Sequence, residues 1–147
     1  MLLLIVLGGE AEEEPYGFLS LNIWHFDTEC IEDHGDYARI AMRMEELAGG
    51  DFSLEGIEDF IDLEVGKAWL AFRLDNQDYR WELEVDNDWV DTQIFSKFDS
   101  LLRDRQTNKR FTYLGLDGQD CLIGCSTPEQ LEKLKATTGL GFQWLAE

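Results

Sequence analysis

His25 and His34, the two histidines of the chain, bracket a segment that holds Asp27, Glu29, Cys30, Glu32 and Asp33. These are the side chains of metal centres and of acid–base chemistry, but their spacing fits neither. No second cysteine stands nearby to complete a thiolate–imidazole zinc set, and the D-x-D-x-D-G order of a calcium loop is missing. Cys30 with either histidine has the composition of a nucleophile and its base. A useful thiolate needs a positive surrounding, however, and this segment is negative. The expected role of 25–36 is therefore a solvated acidic loop, with no metal and no catalytic residue. A second carboxylate cluster, Asp86, Asp88 and Asp91, flanks Trp89. It lacks the glycine and the terminal bidentate Glu of a calcium site, so we expect a turn over Asp86-Asn87-Asp88. Asp91 then caps a helix, and Trp89-Val90 staples onto it.

The chain contains no G-x-S-x-G elbow, phosphate-binding loop, dinucleotide glycine fingerprint, H-E-x-x-H or C-x-x-C. No cofactor is expected. With 31 carboxylates, pairs at glycosidase-like separation arise by chance, and sequence singles out none of them.

The charge is the strongest anomaly. The formal net charge is −19, residues 1–38 contain no Lys or Arg, and Glu45 to Glu64 holds eight carboxylates with no base. Asp75 to Asp91 holds seven against Arg80 alone, and the basic residues cluster at Arg103, Arg105, Lys109 and Arg110. A field of this sign repels nucleic acid and anionic lipid and steers basic partners inward. Direct nucleic-acid binding and membrane binding are not expected. At 44% hydrophobic and 12% aromatic, with two prolines, the 147-residue chain lies well above disordered acidic tails and fits a single domain, 1–147.

Three cysteines, an odd number, argue against a disulfide framework. Cys121 and Cys125 share a strand face at ~13 Å, too far to bridge. Reduced thiols in the cytoplasm are the simpler account. The apolar run Leu2 to Leu7 is too short for a membrane span, and residues 1–15 are expected to form an extra strand or a poorly tied N-terminal segment.

The elements that position these residues are legible from periodicity. Lys67 to Asp91 reads as a β-hairpin. Ala68, Leu70, Phe72 and Leu74 on one strand and Tyr79, Trp81, Leu83 and Val85 on the other share an apolar face. With Asn76 and Gln77 at the turn centre, Leu74 is expected to face Tyr79 and Ala68 to face Val85. Trp69, Arg73, Arg80, Glu82 and Glu84 take the polar face, with Arg73 reaching Glu82 diagonally. Tyr16 to Phe26 reads as a strand. Tyr37, Ile40, Ala41, Met44, Leu47 and Ala48 mark a helix capped by Asp36 and ended by Gly49 and Gly50. Residues 51–66 are expected to form a loop and then a strand from about Asp59, turning at Val65-Gly66-Lys67 into a three-stranded meander.

A second helix carries Ile94, Phe95, Phe98, Leu101 and Leu102 inward, with Arg103 and Arg105 at its negative end. Asp117-Gly118 joins RFTYLGL to QDCLIGCS in a second hairpin, covered on both sides because neither strand alternates cleanly. Thr127-Pro128-Glu129-Gln130 is a capping box opening a third helix that Gly139 stops, and Leu140 to Leu145 is expected to close the fold as a strand. The class is α+β: a mostly antiparallel sheet of six to seven strands, including two hairpins, with three helices packed against it.

Small, acidic, and without catalytic motifs, the chain is similar in general character to bacterial immunity or inhibitor proteins, which neutralise basic toxins or nucleases. That likeness is of type and carries no residues across. The expected function is a non-enzymatic protein-binding module whose basic partner meets Trp69, Glu82, Glu84, Asp86, Asp88 and Trp89, with Glu58, Asp59, Asp62 and Glu64 as further acids. Two alternatives stand beside it: a carboxylate- or metal-dependent hydrolase built on the 25–36 loop, and a DNA mimic with regularly spaced surface acids.

Overall fold

A computed structural model describes residues 23–49, 52–105, 107–116 and 118–145. The expected strand at 2–7 and most of the one at 16–26 lie outside them. In chain order the elements are β1 (Ile23–Asp27), α1 (Asp36–Ala48), β2 (Glu55–Asp62), β3 (Lys67–Leu74) and β4 (Gln77–Leu83), followed by α2 (Gln93–Asp104), β5 (Arg110–Gly115), β6 (Asp120–Ser126), α3 (Pro128–Thr138) and β7 (Gln143–Trp144). The fold is α+β, and its strands divide into two antiparallel sheets, β1-β6-β5-β7 and the meander β2-β3-β4.

The meander keeps the expected faces but not the expected pairing. Leu74 stands opposite Gln77, Phe72 opposite Tyr79, Leu70 opposite Trp81 and Ala68 opposite Leu83. The turn centre is Asp75-Asn76, both at positive φ, 53° and 65°. A two-residue hairpin turn of this hand needs left-handed backbone at both central positions. Asp and Asn tolerate that conformation and Gln does not, so Gln77 goes into the strand. The shift is even-numbered, so each side chain stays on its face. Arg73 consequently pairs with Asp78 across the strands at 3.0 Å rather than with Glu82. β2 begins at Glu55, earlier than expected, with a bulge between Glu55 and Glu58, and it ends at Asp62. Leu63 and Val65 therefore sit exposed in the turn.

Two cores follow from β6. Its neighbours β1 and β5 pair along both sides, and its residues from Cys121 to Ser126 are all buried, as its non-alternating sequence requires. Cys121, Ile123 and Cys125 face the larger core, which joins both sheets to α1 and α2 through Phe26, Met44, Phe52, Phe72, Phe98 and Phe111. Leu122 faces a smaller one with Ile23, Phe142 and the Leu131 and Leu134 of α3. The capping box at Thr127 and Gln130 is present in both directions, and Gly139 ends α3 in left-handed geometry. The closing strand shrinks to Gln143 and Trp144, which pair with Tyr113 and Thr112.

Candidate functional site

The fold joins two acidic segments that lie nearly sixty residues apart in sequence. Asp86-Asn87-Asp88 makes the expected turn, with Asn87 at φ 52° and Trp89 N donating to the Asp86 carbonyl at 3.0 Å. Its far side pairs with the 25–36 loop. Val90 N donates to Thr28 O and Ile31 N to Asp88 O, each at 2.9 Å, and Glu29 bridges to Trp89. Behind them Thr28 bonds the Gln119 carbonyl through both N–H (3.1 Å) and hydroxyl (2.7 Å), and Gln119 Nε2 donates to Asp27 Oδ1 at 2.6 Å. Backbone pairing thus carries Asp27, Glu29, Asp86, Asp88 and Asp120 from three parts of the chain onto one surface. No Lys or Arg occurs in 23–33, 84–91 or 118–121.

Within that surface Val90 is buried, while Trp89 remains 36% exposed. Of the expected staple, only Val90 reaches the core. Asp91 does double duty at the start of α2, accepting from Glu84 N at 2.9 Å and Gln93 N at 3.1 Å, while its own N–H donates to the buried Tyr37 hydroxyl at 2.8 Å. Tyr37 thereby ties the turn to α1, and burial pushes its phenol up to about 12.

The chemistry-bearing residues of 25–36 diverge. His25 Nε2 lies 3.3 Å from Asp120 Oδ2, whereas His34 turns to the meander, where its Nδ1 accepts from Ile61 N at 3.0 Å. Asp36 does not cap α1. Its carboxylate reaches back to Glu32 N (2.8 Å) and Asp33 N (3.0 Å) and pairs with Arg39. Burial works against the charged form of Asp36, but these donors together outweigh it and hold its pKa below the usual value. The cap comes from β2: Asp59 accepts from Gly35 N at 2.7 and 2.9 Å and from Ala38 N at 2.9 Å. Among the described residues no three His, Cys, Asp or Glu side chains converge on a metal-sized position.

Trp69 and Glu82 are cross-strand partners on the outer face of the meander. Trp69 is half-buried there. It stacks on Phe60 of β2 at 6.2 Å, and the Arg80 guanidinium lies 4.4 Å from its ring centre while also bonding Glu82 at 3.1 Å. The charge nearest its ring is thus a cation. Of the six residues expected to meet a partner, Asp86, Asp88 and Trp89 share one turn, Trp69 and Glu82 share another surface, and Glu84 lies in the chain between. Sequence reading missed Glu29 and Asp120 as members of the acidic surface, because nothing local in 25–36 or 118–121 announces pairing with the 86–90 turn.

All three cysteines are free thiols. Burial, then the charges of Asp36 and Asp27, pushes Cys30 up to about 11 against the opposing effect of Arg39. Burial, then Asp120 and Asp27, pushes Cys121 up to about 12. Raised values mean scarce thiolate below those pH values. At pH 8 the native protein is expected to alkylate about a hundredfold more slowly than in denaturant at Cys30, and more slowly still at Cys121. Peptide-mapped labelling checks this; native rates within tenfold of the unfolded ones would contradict it.

No described helix is long and apolar enough to cross a membrane. Comparison of the chain with protein-family models, with curated proteins and with solved structures finds no match.

Proposed function

We propose that the chain is a non-enzymatic protein-binding module whose joined acidic surface receives a basic partner, in the manner of an immunity or inhibitor protein that covers a basic toxin or nuclease. The observation that carries this reading is the backbone pairing of 28–31 with 88–90, which concentrates carboxylates from separate segments around the exposed Trp89. Charge of one sign in one place raises the rate of encounter, and a part-exposed Trp at its centre supplies the apolar anchor that slows release. Free thiols fit a cytoplasmic setting. The hydrolase alternative draws less support, since His34, Asp36 and Asp59 spend their polar atoms on main-chain N–H groups.

Affinity capture from lysate at ~50 mM salt is expected to retain a basic protein that ~0.5 M salt releases. Glu29→Lys/Asp86→Lys/Asp88→Lys is expected to slow association with that protein tenfold or more. Glu129→Lys/Glu132→Lys on α3 serves as the control and should change the rate by less. Undiminished binding by the triple variant, or a captured partner without basic surface, would remove the reading.

A further inference from the structure

Among the described residues strand β4 ends its sheet, so one row of its main-chain groups faces away from β3. The register tells which row. A two-residue turn makes Leu74 and Gln77 a hydrogen-bonded pair, so the odd-numbered residues of β4 bond to β3. Asp78, Arg80 and Glu82 then turn their N–H and C=O groups outward. The same parity holds at the margins of the sheet. Glu84 N, the next group in the outward row, is taken by Asp91. On the opposite edge the outward Ile61 N is taken by His34, and a bulge interrupts β2. One edge of the meander is therefore blunted by a side chain and a bulge, while β4 carries neither Pro, Lys nor a bulge.

Charged side chains alone can blunt an edge, but the outward row of β4 alternates in sign. We propose that β4 pairs antiparallel with β4 of a second copy about a two-fold axis at Trp81, joining two meanders into one continuous sheet. In that register Arg80 stands opposite Glu82 of the second copy, and Glu82 opposite its Arg80, so about four main-chain hydrogen bonds form beside two reciprocal ion pairs. Moving the axis to Arg80 or to Glu82 sets that residue against its own charge, and a one-residue slip mismatches the hydrogen-bonding rows. The register about Trp81 sets Asp78 opposite Glu84, both exposed, at the two ends of the paired segment. An axis at Tyr79 pairs Arg80 with Asp78 instead and leaves Glu82 opposite Asn76, so reversal of Glu82 separates that register from the one proposed. Beneath the edge, Tyr79 and Trp81 form a groove of about 470 Å³ with Ser96, Lys97, Ser100 and Leu101 of α2. Tyr79, Trp81 and Leu101 are half-exposed, unlike Phe72 and Leu83 on the same sheet face. The Tyr79 and Trp81 side chains of the second copy fall on that face and enter the groove, as the groove of the second copy receives those of the first.

The test is the mass of the full chain in solution at an ionic strength of ~0.3 M, which screens repulsion between copies. The mass is expected to rise from 17.0 kDa toward twice that value as concentration increases. Glu82→Arg, and separately Arg80→Glu, should each weaken association at least about tenfold, and Arg80→Glu/Glu82→Arg should restore it. Amide exchange at Arg80 and Glu82 should slow with concentration while that at Tyr79 and Trp81 stays constant. A mass of 17.0 kDa at all concentrations overturns the proposal. So does a dimer indifferent to the single reversals, or a double variant that stays monomeric.

Discussion

Asp99→Ala is expected to lower folding stability by about 3 kcal/mol. Asp99 is fully buried on α2. Its Oδ1 accepts from Phe111 N at 3.2 Å, and its Oδ2 faces Arg103 Nε at 3.2 Å and an Arg110 nitrogen at 3.4 Å. Phe111 is itself fully buried and anchors β5 in the larger core, so truncation leaves its N–H without this acceptor and two guanidinium groups without their common anion. Both arginines reach partly into solvent, at 38% and 24% side-chain exposure. They can rehydrate, which keeps the cost near the lower end for a broken buried pair. Asp99→Asn keeps an acceptor for Phe111 N while removing the charge, and should cost about half as much. Urea unfolding monitored by tryptophan fluorescence measures both; a loss below ~1 kcal/mol for the alanine variant would contradict this account.

That carboxylate marks where sequence reasoning stops. The stripe of α2 was legible as Ile94, Phe95, Phe98, Leu101 and Leu102, of which Leu101 is only partly buried, and Asp99 lies on it, four residues after Phe95 and four before Arg103. An acid on a core-facing position with a base one turn on was the available signal. Yet Arg103, Arg105, Lys109 and Arg110 read as helix-end electrostatics, because the reach of Arg110 back to α2 depends on how β5 leaves the helix. The same boundary runs through the whole chain. Element order, the buried face of α1 and the capping box of α3 follow from local periodicity and local hydrogen bonding, and the structure has them where expected. The partition into two sheets does not, since β1 finds its partner in β6, roughly a hundred residues on.

The candidate site divides in the same way. The turn over Asp86-Asn87-Asp88 is a local event, and three residues were enough to expect it. Its pairing with Thr28 to Ile31 is non-local, and only that pairing turns two acidic stretches into one surface. Trp69 shows the converse. Its face of the sheet was legible, but Phe60 reaches its ring through the β2–β3 pairing, and Arg80 through the β3–β4 register that the αL tolerance of Asp75 and Asn76 decides. A residue expected as an anchor among acids is thus already stacked, and the exposed indole of the acidic surface is Trp89.

Asp59→Ala should cost about 2 kcal/mol and loosen the acidic loop without unfolding the cores. α1 starts from Gly35, at φ 99° and with no side chain to cap the orphan N–H groups of the first turn. Asp59 supplies the missing acceptor from β2, taking Gly35 N with both oxygens and Ala38 N with one, and its charge sits at the positive end of the helix. Neighbouring His34 bonds the same strand at Ile61, so 34–38 is fastened to β2 at two points. Removing Asp59 leaves the weaker fastening, and amide exchange over 32–38 should accelerate while that of β5 and β6 does not change. Asp59→Asn, which keeps an acceptor but not the charge, should fall between the two. Glu58→Ala, exposed one residue away, should stay within ~0.5 kcal/mol of the parent. Equal effects at 58 and 59, or acceleration spread evenly over both sheets, would show that β2 does not hold the start of α1. The 25–36 loop would then owe its place to the 86–90 turn and to the bonds that Thr28 and Asp27 make with Gln119.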